Sequence, residues 1–191
     1  MKPALRPVND DDAAVLERVG RGDAAALGVA FDRWHGDVFA LLVRLRGSRW
    51  AVEDLVQETF VALPAAARNF TAGHSPRAFV MGVALHLARR ERRKVARRLA
   101  LWRAHGQGLD ELVTHADPER DAEARQSLAR VSRALASLPE AQREAVVLVE
   151  LEGLSGDEAA AAMGVPVNTV WTRLHYARAA LRDAVKKGGD R

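Results

Sequence analysis

Apolar residues recur every three or four positions through most of this chain, the spacing that places them on one face of an α-helix. In the first half, this pattern predicts four helices: Ala13–Val19, a longer one that Asp23 caps, a third over 51–67, and a fourth from Pro76 to about Ala104. The apolar face of the second helix is expected at Leu27, Phe31, Trp34, Val38, Leu41, Leu42 and Leu45. Ser75 and Pro76 suit the N-cap and first position of the fourth helix. We expect these helices to enclose one core.

The second half begins with two further predicted helices. The first has its apolar face at Leu128, Val131, Leu135 and Leu138. Pro139 interrupts that helix, and the second is predicted over Glu140–Glu152, where Gly153 ends it. The chain is therefore expected to be all-α throughout.

The segment from Leu154 to Leu174 has the pattern of a helix-turn-helix. Ser155 and Glu158 are spaced as a capping box, and Gly164 stands where a tight turn needs a positive φ. Asn168 or Thr169 can cap the second helix. The buried stripe of that helix is expected at Val170, Leu174, Ala177 and Leu181. In such motifs the second helix normally lies in the major groove of DNA.

The opposite side of this second helix is polar and basic. It carries Asn168, Trp171, Thr172, His175 and Arg178, with Thr169 and Arg173 on its flanks. These side chains offer donors and acceptors for phosphates and base edges. A hairpin used only for packing is the alternative, but packing does not require a polar outer face of this kind.

Charge is distributed unevenly along the chain. The formal net charge is only +4, yet Arg89 to Arg103 holds eight cations and one anion, Glu91. The following residues, Ala104 to Ala124, are predominantly acidic. A solvated helix face is one explanation of the basic block, but its cations repel one another unless a polyanion is near. Nucleic acid is the partner that this distribution favours.

Several classes of function are excluded or disfavoured. The chain has no cysteine, which excludes disulfides, Cys-ligated zinc and a cysteine nucleophile. Its six histidines are scattered, without a His-Glu-x-x-His pair, a phosphate-binding glycine loop or a nucleophile elbow. We therefore expect no catalysis, no metal and no cofactor. No signal peptide and no membrane-spanning run is recognisable, so a cytoplasmic protein without direct membrane insertion is expected.

Three segments together resemble bacterial RNA polymerase sigma factors of the extracytoplasmic-function group. They are Glu53–Val61, Ser75–Ala84 with the basic run after it, and the stretch from Leu138 to Arg178. The resemblance implies two small helical domains joined by a flexible linker. Their expected bounds are 10–104 for sigma region 2, 105–122 for an acidic linker, and 123–187 for sigma region 4 with its helix-turn-helix.

The resemblance also implies roles for particular residues. Asp54, Gln57 and Glu58 would bind RNA polymerase core at its clamp, although a solvated acidic face has the same spacing. The fourth helix would bind the minus-ten strand of promoter DNA through Phe79, His86, Arg89, Arg90, Arg93, Lys94 and Arg97. The polar side of the helix-turn-helix would read the minus-thirty-five element. The flap of the polymerase core and an anti-sigma factor are further implied partners.

This chain departs from the family pattern at positions near the DNA. Phe79 stands where the family usually has Trp, His86 where it has Asn, and Arg90 near a usual acidic residue. In the second helix Trp171 replaces a usual Lys and Asn168 a usual Gly. The preferred promoter is therefore expected to differ from the commonest one of the group. Whether Trp171 contacts DNA or packs is open from sequence.

One competing function is a helix-turn-helix regulator that binds operators without acting as a sigma subunit. It would explain the C-terminal third of the chain. It would leave the acidic face at Asp54, Gln57 and Glu58 and the basic block from Arg89 to Arg103 without a purpose. The sigma factor is therefore the function that the sequence favours.

Overall fold

The computed structural model describes residues 10–46, 52–104 and 131–189, and all the regular elements in those ranges are helices. The first unit contains α1 (Asp10–Gly20), α2 (Ala24–Arg46), α3 (Glu53–Ala67) and α4 (Pro76–Ala104). The second contains α5 (131–137), α6 (Glu140–Val146) with a π-helical turn (Val147–Leu151), α7 (Gly156–Met163) and α8 (Val167–Gly189). The predicted linker over 105–122 lies outside these residues.

Side-chain caps fix where two helices of the first unit, α2 and α4, begin. Asp23 Oδ1 accepts hydrogen bonds from the backbone N–H groups of Ala25 and Ala26, at 2.9 and 3.1 Å. Ser75 Oγ accepts one from the N–H of Ala78 at 3.3 Å, and Pro76 takes the first position of α4. Both predicted caps are confirmed, because capping depends on neighbours in sequence.

The core of the first unit lies where α2, α3 and α4 meet. It is built from large buried side chains such as Trp34, Leu41, Leu42, Phe60, Leu63, Met81 and Leu85. A Cβ at Gly20 would lie 2.9 Å from the backbone of Ala67, so glycine lets α1 cross close to α3. The prediction for Phe31 was wrong: it is 40% exposed, because only one edge of the α2 face is covered, although its ring contacts Phe60.

In the second unit the apolar stripe is narrower than predicted. Leu135 and Leu138 are buried, but Val131 is 52% exposed, because α5 turns this residue away from the core. Arg143 binds the end of α5, where Nε donates to the carbonyl of Leu135 at 2.8 Å and Nη2 to that of Leu138 at 3.0 Å. These bonds satisfy carbonyl groups that a helix end leaves without intrahelical donors.

The helix predicted over Glu140–Glu152 is present, but its second half is π-helical. The N–H of Glu152 donates to the carbonyl of Val147, five residues back, at 2.8 Å. Each residue of an α-helix turns the chain by about 100°, so Glu144 and Glu152 would lie about 80° apart in a regular helix. The π turn accommodates one extra residue without its usual 100° of rotation about the helix axis. The total rotation from Glu144 to Glu152 is therefore about 100° smaller, which leaves the two carboxylates about 20° apart.

The helix-turn-helix forms as its sequence predicts, apart from one boundary. Ser155 Oγ accepts from the N–H of Glu158 at 3.2 Å, Glu158 Oε2 accepts from the N–H of Ser155 at 2.8 Å, and Gly164 has φ 67°. The prediction that Asn168 or Thr169 caps the second helix was wrong. α8 already begins at Val167, since Pro166 fixes a helical turn whose carbonyl accepts from Thr169 at 2.9 Å.

The two units pack directly against each other along α4 and α7. A Cβ added at Gly82 would lie 3.1 Å from the Cα of Ala162, so the glycine permits a close approach of the two helices. The buried side chains of both units belong to one continuous cluster. Within the described ranges, no helix is both long and apolar enough to cross a membrane.

The capping box gives a stability prediction. Replacing Ser155 by Ala removes the bond to the Glu158 N–H and should lower the free energy of unfolding by about 1 kcal/mol. Urea denaturation followed by circular dichroism measures this. Ser132→Ala, at an exposed serine of α5, is the matched control and should change stability by less than about 0.5 kcal/mol. Equal losses in the two variants would contradict a specific role for the cap.

Candidate nucleic-acid interface

The outer face of α8 presents the polar residues that the sequence predicts. Asn168, Trp171, Thr172, His175 and Arg178 are exposed, and Thr169 and Arg173 lie half-buried at its edges. The opposite face buries Val170, Leu174 and Ala177 completely and Leu181 in part. The helix therefore has one apolar side fixed in the second unit and one polar side free to enter a groove of DNA.

The ring of Trp171 packs against the start of α7. A Cβ at Gly156 would lie 2.4 Å from ring atom Cζ2 of Trp171, which means that the indole covers the first residue of α7. Trp171 nevertheless remains 47% exposed. One side of the ring packs on the protein and the rest is available, so packing and contact with DNA are compatible.

Arg178 is held at the end of the polar face. Its guanidinium pairs with the carboxylate of Glu150, in the π-helical turn of the same unit. Nearer the start of α8, Thr172 Oγ1 donates to the carbonyl of Asn168 at 2.9 Å. Both ends of the face are thus ordered before any ligand binds.

α4 brings most of the predicted minus-ten residues to one surface. His86, Arg90, Arg93, Lys94 and Arg97 are exposed along it. Phe79 is half-buried, with its ring centroid 5.3 Å from that of Phe70 in an edge-to-face arrangement. Phe79 and His86 line a cleft of about 800 Å³ between α3, α4 and α7, to which Phe70 and Met163 also contribute. Aromatic walls beside cations are suited to an unstacked base on a nucleic-acid strand.

Arg89 is placed differently from the other predicted minus-ten residues. Its Nε and Nη2 donate to the two carboxylate oxygens of Glu144 at 2.8 and 2.6 Å, and its Nη1 donates to the carbonyl of Met163 at 3.0 Å. The hydrogen bond to Glu144 raises the pKa of Arg89, against the effect of burial. In this arrangement Glu144 and Met163 of the second unit bind the guanidinium of Arg89.

A second carboxylate of the same unit is buried against the first unit. Glu152 pairs with Arg44 of α2 and Arg77 of α4, and Arg77 also donates to Asp37 at 2.8 Å. Burial raises the pKa of Glu152, and the two arginines only partly oppose that shift. Sequence reasoning missed Glu144 and Glu152, although a carboxylate at each end of the mostly apolar stretch 145–151, which Glu150 alone interrupts, was an available signal.

The exposed face of α3 carries Asp54, Gln57 and Glu58 as predicted. Val61, which sequence reasoning did not single out, is 79% exposed on the same face, three residues beyond Glu58. Positions 54, 57, 58 and 61 follow the spacing of one helix face. This face is therefore polar, with one exposed apolar side chain at its end.

Across the residues for which side chains are placed, no group of three or more His, Asp or Glu could hold a metal ion. The arrangement offers grooves, cations and aromatic rings. What it can do chemically is bind nucleic acid and protein.

Comparison with known proteins gives one consistent family. The model for Sigma-70 region 2 matches residues 30–98, and that for Sigma-70, region 4 matches 128–181. The ECF RNA polymerase sigma factor SigC of Mycobacterium tuberculosis is 33% identical over 91% of both chains. The RNA polymerase sigma factor CnrH of Cupriavidus metallidurans is 34% identical over 90% of this chain and 93% of the relative.

Solved structures agree with the sequence relatives. CnrH in complex with the cytosolic domain of CnrY has a TM-score of 0.67 and 28% identity, covering 93% of this chain and 99% of that one. The sigma factor RpoE in complex with the anti-sigma factor NepR, from Bartonella quintana, has a TM-score of 0.64 and 25% identity, covering 80% and 91%. Both show the same helical architecture.

The buried Glu152 carboxyl predicts a pH dependence. Because its pKa is raised in the folded protein, its stabilising contribution is fully present below its ordinary value, 4.5, and is lost as the pH rises through the raised value. The free energy of unfolding of the wild type, relative to Glu152→Gln, should therefore fall as the pH rises from 4 to 7. Urea denaturation across that range measures the difference. A difference that grows with pH would show that the arginines outweigh the burial.

Proposed function

This chain belongs to the extracytoplasmic-function group of RNA polymerase sigma factors, and we propose that its two helical units contact different parts of the promoter and of the polymerase. As a sigma factor, it binds RNA polymerase core and directs promoter-specific initiation, recognising minus-ten and minus-thirty-five elements. The assignment of individual residues to those tasks is our proposal. The observation that carries it is the separation of three exposed surfaces, on α3, α4 and α8.

α8 reads the minus-thirty-five element as duplex DNA. Its polar face lies opposite a fully buried stripe, so the helix can enter the major groove without exposing apolar side chains. Arg173 and Arg178 contact phosphates, while Asn168 and Thr172 face base edges. The indole of Trp171 packs on a sugar or a thymine methyl where other members of the family carry a lysine.

α4 binds the minus-ten strand after the duplex separates. Arg90, Arg93, Lys94 and Arg97 neutralise its phosphates, and Phe79 and His86 lie at the cleft that receives an unstacked base. The alternative of a regulator without polymerase leaves this strand-binding surface unused. No feature of the structure favours that alternative.

α3 binds the clamp of RNA polymerase core. The face at Asp54, Gln57 and Glu58 is exposed, and Val61 adds an apolar anchor at its end. Covering this valine with a partner would add the favourable free energy of burying one apolar side chain. The second unit contacts the flap of the polymerase core.

An anti-sigma factor is a further partner that we propose. Two related structures are sigma factors in complex with such proteins or their cytosolic domain. The polymerase acts in the cytoplasm, and we place this protein there, as a binding subunit without enzymatic activity of its own.

The division between α4 and α8 is testable with two variants. Replacing Arg93, Lys94 and Arg97 by Ala should weaken binding of polymerase holoenzyme to a single-stranded minus-ten oligonucleotide and reduce the slope of log affinity against log salt by about 2. Arg173→Ala should instead weaken duplex minus-thirty-five binding about tenfold. Fluorescence anisotropy on both DNAs measures these effects.

The matched control replaces three exposed arginines outside α4, namely Arg18, Arg21 and Arg68, by Ala. It has the same change in net charge and should leave both affinities within about twofold. Equal losses of strand and duplex binding in both test variants would contradict the division of tasks.

The clamp surface is tested by reversing one charge. Glu58→Lys should lower affinity for polymerase core more than tenfold, because a rim charge of the wrong sign is repelled at a complementary surface. Glu17→Lys, at an exposed carboxylate of α1, is the control and should bind core normally. Affinity is measured with fluorescently labelled protein and core lacking sigma. Normal binding by Glu58→Lys would remove α3 from the interface.

A further inference from the structure

Four arginines surround a small cleft where the end of α2, the middle of α4 and the start of α6 meet. The cleft has a volume of about 40 Å³. Leu85 and Ala88, both buried in the core, contribute to its apolar lining. Its charged lining residues are Arg46, Arg89, Arg92, Glu140, Arg143 and Glu144. Four cations therefore share the cleft with two carboxylates.

Both carboxylates of the cleft are already paired. Glu144 accepts from Nε and Nη2 of Arg89 at 2.8 and 2.6 Å. A carboxylate oxygen of Glu140 lies 3.0 Å from Nη1 of Arg92. Because the charges of these two pairs cancel, the excess of positive charge rests on the two remaining arginines, Arg46 and Arg143.

The guanidinium of Arg143 is bound by neutral groups. Its nitrogens donate at 2.8 to 3.3 Å to the backbone carbonyls of Leu45, Leu135, Ala136 and Leu138. Carbonyl groups satisfy the hydrogen bonds of the guanidinium but carry no formal charge to neutralise it. Burial lowers the pKa of Arg143, and the nearby charge of Arg92 lowers it further. The carboxylates of Glu140 and Glu144 oppose this shift without cancelling it.

Arg46 has no hydrogen-bond or ion-pair partner among the residues that the structure describes. It is half-buried at the last position of α2. An arginine side chain presents five N–H donors in a planar fork. The donors of Arg46 are therefore available to a ligand that enters the cleft.

We propose that this cleft binds the phosphate group of a small molecule. Arg46 and Arg92 donate hydrogen bonds to the phosphate oxygens, and Arg143 contributes positive charge. A phosphate monoester carries about −1.5 to −2 charges at pH 7, which matches the excess left by Arg46 and Arg143. Guanidinium groups bind phosphate oxygens through paired N–H donors, so the residue type also fits the ligand.

The volume of the cleft limits what can enter it. A cavity needs about 10 to 15 Å³ to admit one water molecule. The cleft has about three times that volume, which is enough for one tetrahedral oxyanion and too small for a nucleobase. The ligand is therefore free phosphate, or a larger molecule whose terminal phosphate alone enters.

This phosphate cleft is separate from the surfaces proposed for DNA and for polymerase. Arg89 is the one residue assigned to the minus-ten strand that borders the cleft, and Glu144 and Met163 already bind its guanidinium. Arg46, Arg92 and Arg143 were given no part in strand, duplex or core binding. A bound phosphate would join α2 and α4 of the first unit to α6 of the second.

The first test is binding of inorganic phosphate to the full chain, measured by isothermal titration calorimetry in phosphate-free buffer at constant ionic strength. We expect a dissociation constant of about 1 mM, since two guanidinium groups supply charge-assisted hydrogen bonds. Phosphate at ten times that concentration favours the folded state about elevenfold and should raise the midpoint of thermal unfolding by about 3 to 6 °C.

Two substitutions in the cleft should act in opposite directions. Arg46→Gln removes one of the two uncompensated charges and should weaken phosphate binding at least tenfold. Glu140→Gln removes a competing carboxylate from the cleft and should tighten phosphate binding about tenfold. Arg68→Gln, at an exposed arginine of the first unit, loses the same charge as Arg46→Gln and should bind phosphate within about twofold of wild type. Circular dichroism checks that each variant is folded.

Two further probes identify the chemistry of the ligand. Dimethyl phosphate has one charge and two esterified oxygens, so it should bind at least tenfold more weakly than phosphate. ADP binding as tightly as phosphate, or more tightly, would support a terminal phosphate on a larger molecule. ADP binding tenfold more weakly than phosphate would support free phosphate in the same cleft.

Several outcomes would overturn the phosphate cleft. They are the absence of saturable phosphate binding up to 20 mM, roughly twenty times the expected dissociation constant, and equal affinities in Arg46→Gln and Arg68→Gln. Weaker phosphate binding in Glu140→Gln, or equal binding of dimethyl phosphate and phosphate, would also contradict it. None of these measurements uses DNA or polymerase, so they fail or succeed independently of the proposed function.

Discussion

Two buried carboxylates, Glu144 and Glu152, organise how the halves of this sigma factor meet. Each is buried, and a buried ionised group costs several kcal/mol unless it is paired. Their observed counter-charges, Arg89, Arg44 and Arg77, all come from the other unit. The positions of α6, α7 and α8 over the first unit therefore follow from where those arginines lie on α2 and α4.

A single long helix joins the core of the first unit to the proposed strand-binding surface. The N-terminal half of α4 packs Met81 and Leu85 in the core, while the following turns carry exposed cations. Such a helix cannot move its charged part without moving its packed part, so strand binding is transmitted to the core rigidly. The close approach at Gly82 places α7 against the junction of these two parts.

Local features were predicted well from sequence, and contacts between units were not. The caps at Asp23 and Ser75 and the capping box at Ser155 depend on residues within three positions. The polar face of α8 follows from helix periodicity alone. Pairing of Arg89 with Glu144, 55 residues away, depends on tertiary packing that no periodicity encodes. The predicted burial of Phe31 and Val131 was wrong for the same reason, because a periodic apolar face does not reveal how much of it a neighbouring helix covers.

The π-helical turn was also invisible in sequence, because every residue of the run 145–149 is apolar and any helical phase would bury it. The turn determines whether both Glu144 and Glu152 face the first unit. A relative with one residue fewer between its two carboxylates needs no π turn, because seven residues of a regular α-helix leave them about 20° apart. A relative that keeps eight residues in a regular α-helix presents them about 80° apart, and only one could meet the arginines. Within this family, the number of residues between these two positions and the presence of the π turn would therefore have to change together wherever both carboxylates pair with the first unit.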